Sequence, residues 1–87
     1  MKKIQAPFFC VNPKGYLFGS ELLELAKAAD ELSKRYQLTV FFTVPFTEAY
    51  PIIRNTENLI VTAQHMDGIS RGKGMGRIFP ESLISAG

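Results

Sequence analysis

Pro7-Phe8-Phe9-Cys10-Val11-Asn12-Pro13-Lys14 is the stretch that decides the fold. An apolar run that reads as a buried strand passes directly into an amide and an ammonium, with a proline between them to stiffen the bend. α/β proteins build their sites from polar groups just past the carboxyl end of an apolar strand, because rigid strands then aim loop side chains at a shared cleft. Asn12 and Lys14 are therefore the first candidate site residues.

The chain continues in the same pattern. Gly15 to Gly19 reads as a loop, Ser20 as an N-cap, and Glu21 and Glu24 as the acidic start of a helix. Leu22, Leu25, Ala26, Ala29, Leu32 and Tyr36 recur at helical spacing. That predicts a single core-facing stripe, with Lys27, Asp30, Glu31, Lys34 and Arg35 mainly on the solvent side. Leu38 to Val44, closed by Pro45, predicts a second strand apolar on both faces, as parallel strands covered by helices are. Thr47 to Asn55 predicts a short helix with Pro51 in its first turn, starting as late as Tyr50. Leu59 to Ala63 is a third strand, with Gln64 at its carboxyl end as Asn12 is for the first. A long polar loop, Gln64 to Phe79, leads to a third helix over Pro80 to Ala86. The order β-α-β-α-β-loop-α with short connections implies an α/β domain over residues 1–87, with parallel strands and right-handed crossovers.

A chain of 87 residues with 46% apolar and 21% charged content builds an ordered domain with a modest core. The net charge of +2 and the scattered basic residues call for neither nucleic acid nor an anionic membrane. No apolar run is long enough to span a bilayer, and Lys2-Lys3 is not followed by a signal-peptide core, so a cytoplasmic location is expected. The single cysteine, Cys10, has no internal disulfide partner and is expected to be a small buried hydrophobe.

Other residues with chemical potential fall short of a motif. The glycines of Gly72-Lys73-Gly74-Met75-Gly76 could let backbone amides approach a phosphate. However, Arg77 stands where a dinucleotide fingerprint needs glycine, and no Gly-Lys-Ser/Thr opens a helix. His65 and Asp67 are too few for a metal site without a second histidine, and are read as shaping the loop. Arg71, Lys73 and Arg77 lack interleaved aromatics and are read as solvated. Neither Ser20 nor Ser70 sits in Gly-x-Ser-x-Gly.

Three pieces in order carry a resemblance: Val11-Asn12-Pro13-Lys14, Val61-Thr62-Ala63-Gln64-His65-Met66-Asp67, and Gly72-Lys73-Gly74-Met75-Gly76-Arg77-Ile78-Phe79-Pro80-Glu81. Together they resemble the first part of a triosephosphate isomerase, over essentially the whole chain. The His65-Met66-Asp67 continuation is more similar to the archaeal branch, and to bacterial relatives that isomerise tetrulose phosphates, than to the common form. The resemblance implies a partial (β/α)8 TIM barrel of about three βα units. It also implies aldose–ketose isomerisation without metal or cofactor, on dihydroxyacetone phosphate and glyceraldehyde 3-phosphate or a tetrulose phosphate equivalent. By the same resemblance, Lys14 supplies positive charge for the phosphate and the developing oxyanion, and Asn12 helps position both. Gly74, Met75 and Gly76 match the tip of the loop that contacts a neighbouring subunit.

The family's catalytic pair is a glutamate base and a neutral histidine, a pattern for which triosephosphate isomerase is itself the standard example. Both belong to later strands. Glu21, Glu24, Glu31, Glu48, Glu57, Glu81 and His65 match neither role, so these 87 residues alone are expected to be inactive. Pro13 and Met75 depart from the family's usual aromatic and threonine, which leaves triose against tetrulose open. Two further readings stand beside this one: a non-catalytic half-barrel that self-associates or pairs with a complementary barrel fragment, and a small phosphate-binding domain built on Gly72 to Gly76.

Overall fold

The computed structural model describes residues 2–87. Its elements are β1 (Phe8–Val11), α1 (Gly19–Arg35), β2 (Thr39–Val44), α2 (Phe46–Asn55), β3 (Ile60–Ala63) and α3 (Pro80–Ala86). The three strands form one parallel sheet in the order β1-β2-β3. This is the α/β architecture of a partial TIM barrel, an open sheet with each strand followed by a helix.

The register sets which residues share a face. Val11, Phe42 and Val61 lie side by side, as do Phe41 and Ile60, and Thr43 and Thr62. Val40, Phe42 and Val44 are buried and pack with Leu22 and Ala26 of α1, Ala49 and Ile52 of α2, and Leu59. Phe42 is the largest fully buried side chain and sits at the centre of this layer.

The opposite face of the sheet differs from expectation. Thr39, Phe41 and Thr43 alternate with the core residues and are only half-buried, so β2 is covered by helices on one side alone. The Thr43 and Thr62 hydroxyls meet at 2.9 Å on that open face, and Phe8 packs edge-on against Phe41 at 5.2 Å between ring centroids. Cys10 pairs in register with Phe41 on the edge strand, and it is exposed rather than buried.

The helices bring three more corrections. In α1 the buried residues are Leu22, Ala26, Asp30 and Ser33, while Leu25, Leu32 and Tyr36 are exposed. The apolar stripe is wider than the face that packs, and the helix is rotated so that Asp30 turns inward while the far edge of the stripe stays exposed. α1 starts at Gly19 with Phe18 as its N-cap, so Ser20 lies inside the helix instead of capping it. The first amide, on Gly19, is satisfied across the molecule by the Glu48 carboxylate. α2 starts at Phe46 behind Pro45, which leaves Pro51 in the interior. Pro51 cannot donate to Thr47, but both residues are exposed, so water can serve the carbonyl of Thr47.

Candidate active site

The carboxyl ends of the strands carry the candidate site. β1 delivers Asn12, where the sheet ladder stops. The Asn12 side-chain Oδ1 accepts the Lys14 amide at 3.0 Å, the local bond by which asparagine turns a chain. The Tyr16 amide then donates to the Pro13 carbonyl at 3.3 Å, closing a four-residue turn with Lys14 in its second position. Lys14 has φ +57°, and Gly15 is not among the positive-φ glycines. That is the sign pattern of a type II′ turn, whose second position is normally glycine. A lysine held there is strained, and strained backbone persists where its surroundings over-determine it.

Those surroundings come from β3 and α2. The Gln64 amide donates to the Val44 carbonyl at 3.1 Å, which fixes its main chain to the end of β2. Its side-chain Nε2 reaches across to donate to the Lys14 carbonyl at 2.7 Å. Glu48, in the first turn of α2, holds the other end of the loop by accepting from the Gly19 amide. Asn12, Lys14 and Gln64 are thus one hydrogen-bonded group. Asn12 and Lys14 are both exposed, leaving the ammonium and the Asn12 Nδ2 facing solvent at the sheet's carboxyl edge.

The loop after β3 is a separate unit. The Asp67 amide donates to the Ile78 carbonyl at 2.8 Å, and the Ile78 amide returns a bond to Asp67 Oδ2 at 2.7 Å. The Ile78 amide, above all, holds the Asp67 carboxyl below the usual carboxylate range; partial burial opposes it, and Arg77 at 3.6 Å and His65 at 3.8 Å reinforce it. Asp67 therefore closes the neck of the loop, in keeping with the sequence reading of His65 and Asp67. At the tip Met75 is 95% exposed. Gly74 lies close against Ile69, where a Cβ would come within 2.8 Å of the Ile69 Cδ1. The Met75 amide bonds to the Lys73 carbonyl and the Arg77 amide to that of Gly74. One amide of the candidate phosphate cradle, that of Met75, is consequently already engaged. No hydrogen bond joins this tip to residues 12–16 among the described residues. Nor do three or more His, Cys, Asp or Glu side chains gather there to hold a metal ion.

Two residues in this framework carry roles that sequence reading missed. Glu48 had no assigned function, and its signal is faint: an acidic residue in a helix's first turn is ordinary. Asp30 was placed on the surface but is 5% exposed, at the opposite, amino end of the sheet. It accepts the amides of Glu57, Asn58 and Leu59 at 3.0, 2.7 and 3.1 Å. Burial alone would raise its carboxyl; those amides, with Lys34 at 3.7 Å, outweigh it and hold it below the usual range.

The likeness to known proteins agrees with the fold. No protein-family model matches the chain. Among curated relatives, the triosephosphate isomerase of Methanoculleus marisnigri is 35% identical over 86 residues, covering 97% of this chain and 38% of the relative. That of Sulfolobus acidocaldarius is 33% identical and that of Sulfurisphaera tokodaii 31%, each over 86 residues, 97% of this chain and 37% of the relative. The chain thus spans little more than a third of the length of the relatives it matches. By sequence and by fold, this chain belongs to the triosephosphate isomerase family and corresponds to the N-terminal part of its barrel.

Proposed function

We propose that residues 1–87 form the N-terminal part of a sugar-phosphate aldose–ketose isomerase and supply the accessory corner of its active site. The substrate is a small phosphorylated sugar, a triose phosphate or a tetrulose phosphate equivalent. The reaction is proton transfer through an enediolate, with no cofactor. The Lys14 ammonium steadies the phosphate and the oxyanion that develops on the carbonyl oxygen, and the Asn12 Nδ2 donates to the same region. The observation that carries this reading is the strained Asn12–Lys14 turn at the end of β1, a glycine position given to a cation. The base and the electrophile come from other parts of the barrel: the glutamates of this chain lie on the helices or next to α2, and His65 is engaged with Asp67.

Gly74, Met75 and Gly76 form a subunit contact in this reading, and the assembly is a homodimer in the cytoplasm. The 95% exposure of Met75 on a loop with a closed neck supports it, since a preordered apolar tip loses little entropy on docking. Among the described residues no helix is long and apolar enough to cross a membrane.

The test is a chimera in which these 87 residues replace the matching segment of the Methanoculleus relative. Turnover of glyceraldehyde 3-phosphate that falls about 10²–10³-fold on Lys14→Ala is expected. A folded chimera that is inactive, or one indifferent to Lys14→Ala, contradicts the proposal. The isolated chain should give no turnover.

A second reading, a self-associating half-barrel, draws on the uncovered sheet face and on exposed Phe8 and Phe9 of the open edge strand β1. Light scattering tests it: a monomer at high concentration rules it out.

A further inference from the structure

We propose that Gln64 is a positioning residue for Lys14, acting by holding the lysine in a backbone conformation that its own side chain disfavours. This rests on the reading of Lys14 as the phosphate-binding cation, and it names the residue on which that cation's aim depends.

Lys14 has φ +57° in a turn position where glycine is the usual occupant. Left free, the turn would relax toward negative φ and swing the ammonium away. Two bonds resist that. The Asn12 Oδ1 acceptor constrains the Lys14 amide, and the Gln64 Nε2 donor constrains its carbonyl, so the peptide units on either side of the strained Cα are each pinned. The second bond is the more consequential, because it is not local. Asn12 moves with the loop it caps, whereas Gln64 is 50 residues away and has its own amide tied to the Val44 carbonyl at the end of β2. Gln64 therefore transmits the rigidity of the β2–β3 ladder to the loop after β1, reaching past the intervening strand. Gln64 is exposed, so its substitution is expected to leave the buried core in place.

Two measurements test this. In the isolated 87-residue chain, a residue at positive φ gives a strong NMR cross-peak between its own amide proton and Hα. Gln64→Ala and the similarly long Gln64→Met should both weaken that cross-peak at Lys14 and leave the core resonances in place. In the chimera, each variant should lower kcat/KM about tenfold. Gln64→Ala added to Lys14→Ala should then cost nothing further, because Gln64 acts only through the lysine. An unchanged Lys14 cross-peak in Gln64→Ala overturns the proposal, as does a full additional loss in the double variant. Retained signal in Gln64→Met alone overturns the hydrogen bond in favour of packing. An inactive wild-type chimera would count against the isomerase reading instead, and the cross-peak would still decide the role of Gln64.

Discussion

The two ends of this sheet solve one problem in opposite ways. At the amino end, a buried carboxylate, Asp30, gathers three backbone amides into a satisfied knot that joins α1 to the start of β3. At the carboxyl end, side chains from two other segments, Gln64 and Glu48, also fasten a loop, but what they hold is exposed and strained. The first arrangement lowers the energy of the fold; the second raises it locally to present a cation. This is the division expected of a barrel, in which the end away from the strand carboxyl termini serves stability and the other serves chemistry.

The contrast can be broken most decisively at Asp30. Asp30→Ala leaves three amides without their acceptor and should destabilise the chain by about 3 kcal/mol in urea denaturation, with Asp30→Asn about half as damaging. A loss under about 0.5 kcal/mol would remove the stability end of the comparison. The same carboxyl sets a pH dependence. Its folded value lies below its unfolded one, so its contribution is complete above the ordinary value of 3.8 and is lost as pH falls through the lower folded value.

At the other end the sign reverses. Lys14→Gly should raise stability by about 1 kcal/mol, with relief of backbone strain exceeding the added chain entropy of glycine. It should also abolish the cation's contribution to turnover in the chimera. A destabilised Lys14→Gly would mean that the turn is not strained. The smallest effect concerns the neck of the loop after β3. Asp67 is also held below its ordinary 3.8, so acid should leave the neck closed until the pH falls through its lower folded value. Hydrogen exchange at the Ile78 amide should then quicken while the core amides at Phe42 and Val44 stay protected. Simultaneous loss at both would tie the loop to the global fold.

Much of the architecture could be read from the residues. Every element was marked in sequence, α1 by the helical spacing that includes Leu22 and Ala26, the strands by their apolar runs, and α3 by the proline that opens it. Asn12, Lys14 and Gln64 were visible because strand ends are visible. What could not be read was whatever depends on a partner far along the chain. Asp30 resembles any charged helix residue until Glu57 to Leu59 are folded against it, and Leu25, Leu32 and Tyr36 extend the apolar stripe past the face that packs. Cys10 looked buried because an edge strand reads like a central one, and Pro51 looked like a start signal because propensity does not reveal that Pro45 already provides one. The strain at Lys14 is similarly silent in sequence, since Pro-Lys-Gly does not state which residue takes the positive φ.

The central claim is that one end of this sheet holds the fold and the other holds the phosphate-binding cation. It is tested most directly by placing Lys14→Ala and Asp30→Ala separately in the chimera and measuring both kcat/KM and the unfolding midpoint. The account predicts that Lys14→Ala lowers kcat/KM by about 10²–10³-fold with no loss of stability, and that Asp30→Ala lowers the midpoint while the remaining folded enzyme keeps its kcat/KM. If Lys14→Ala unfolds the protein without affecting the folded fraction's turnover, or Asp30→Ala abolishes turnover at unchanged stability, the account is wrong.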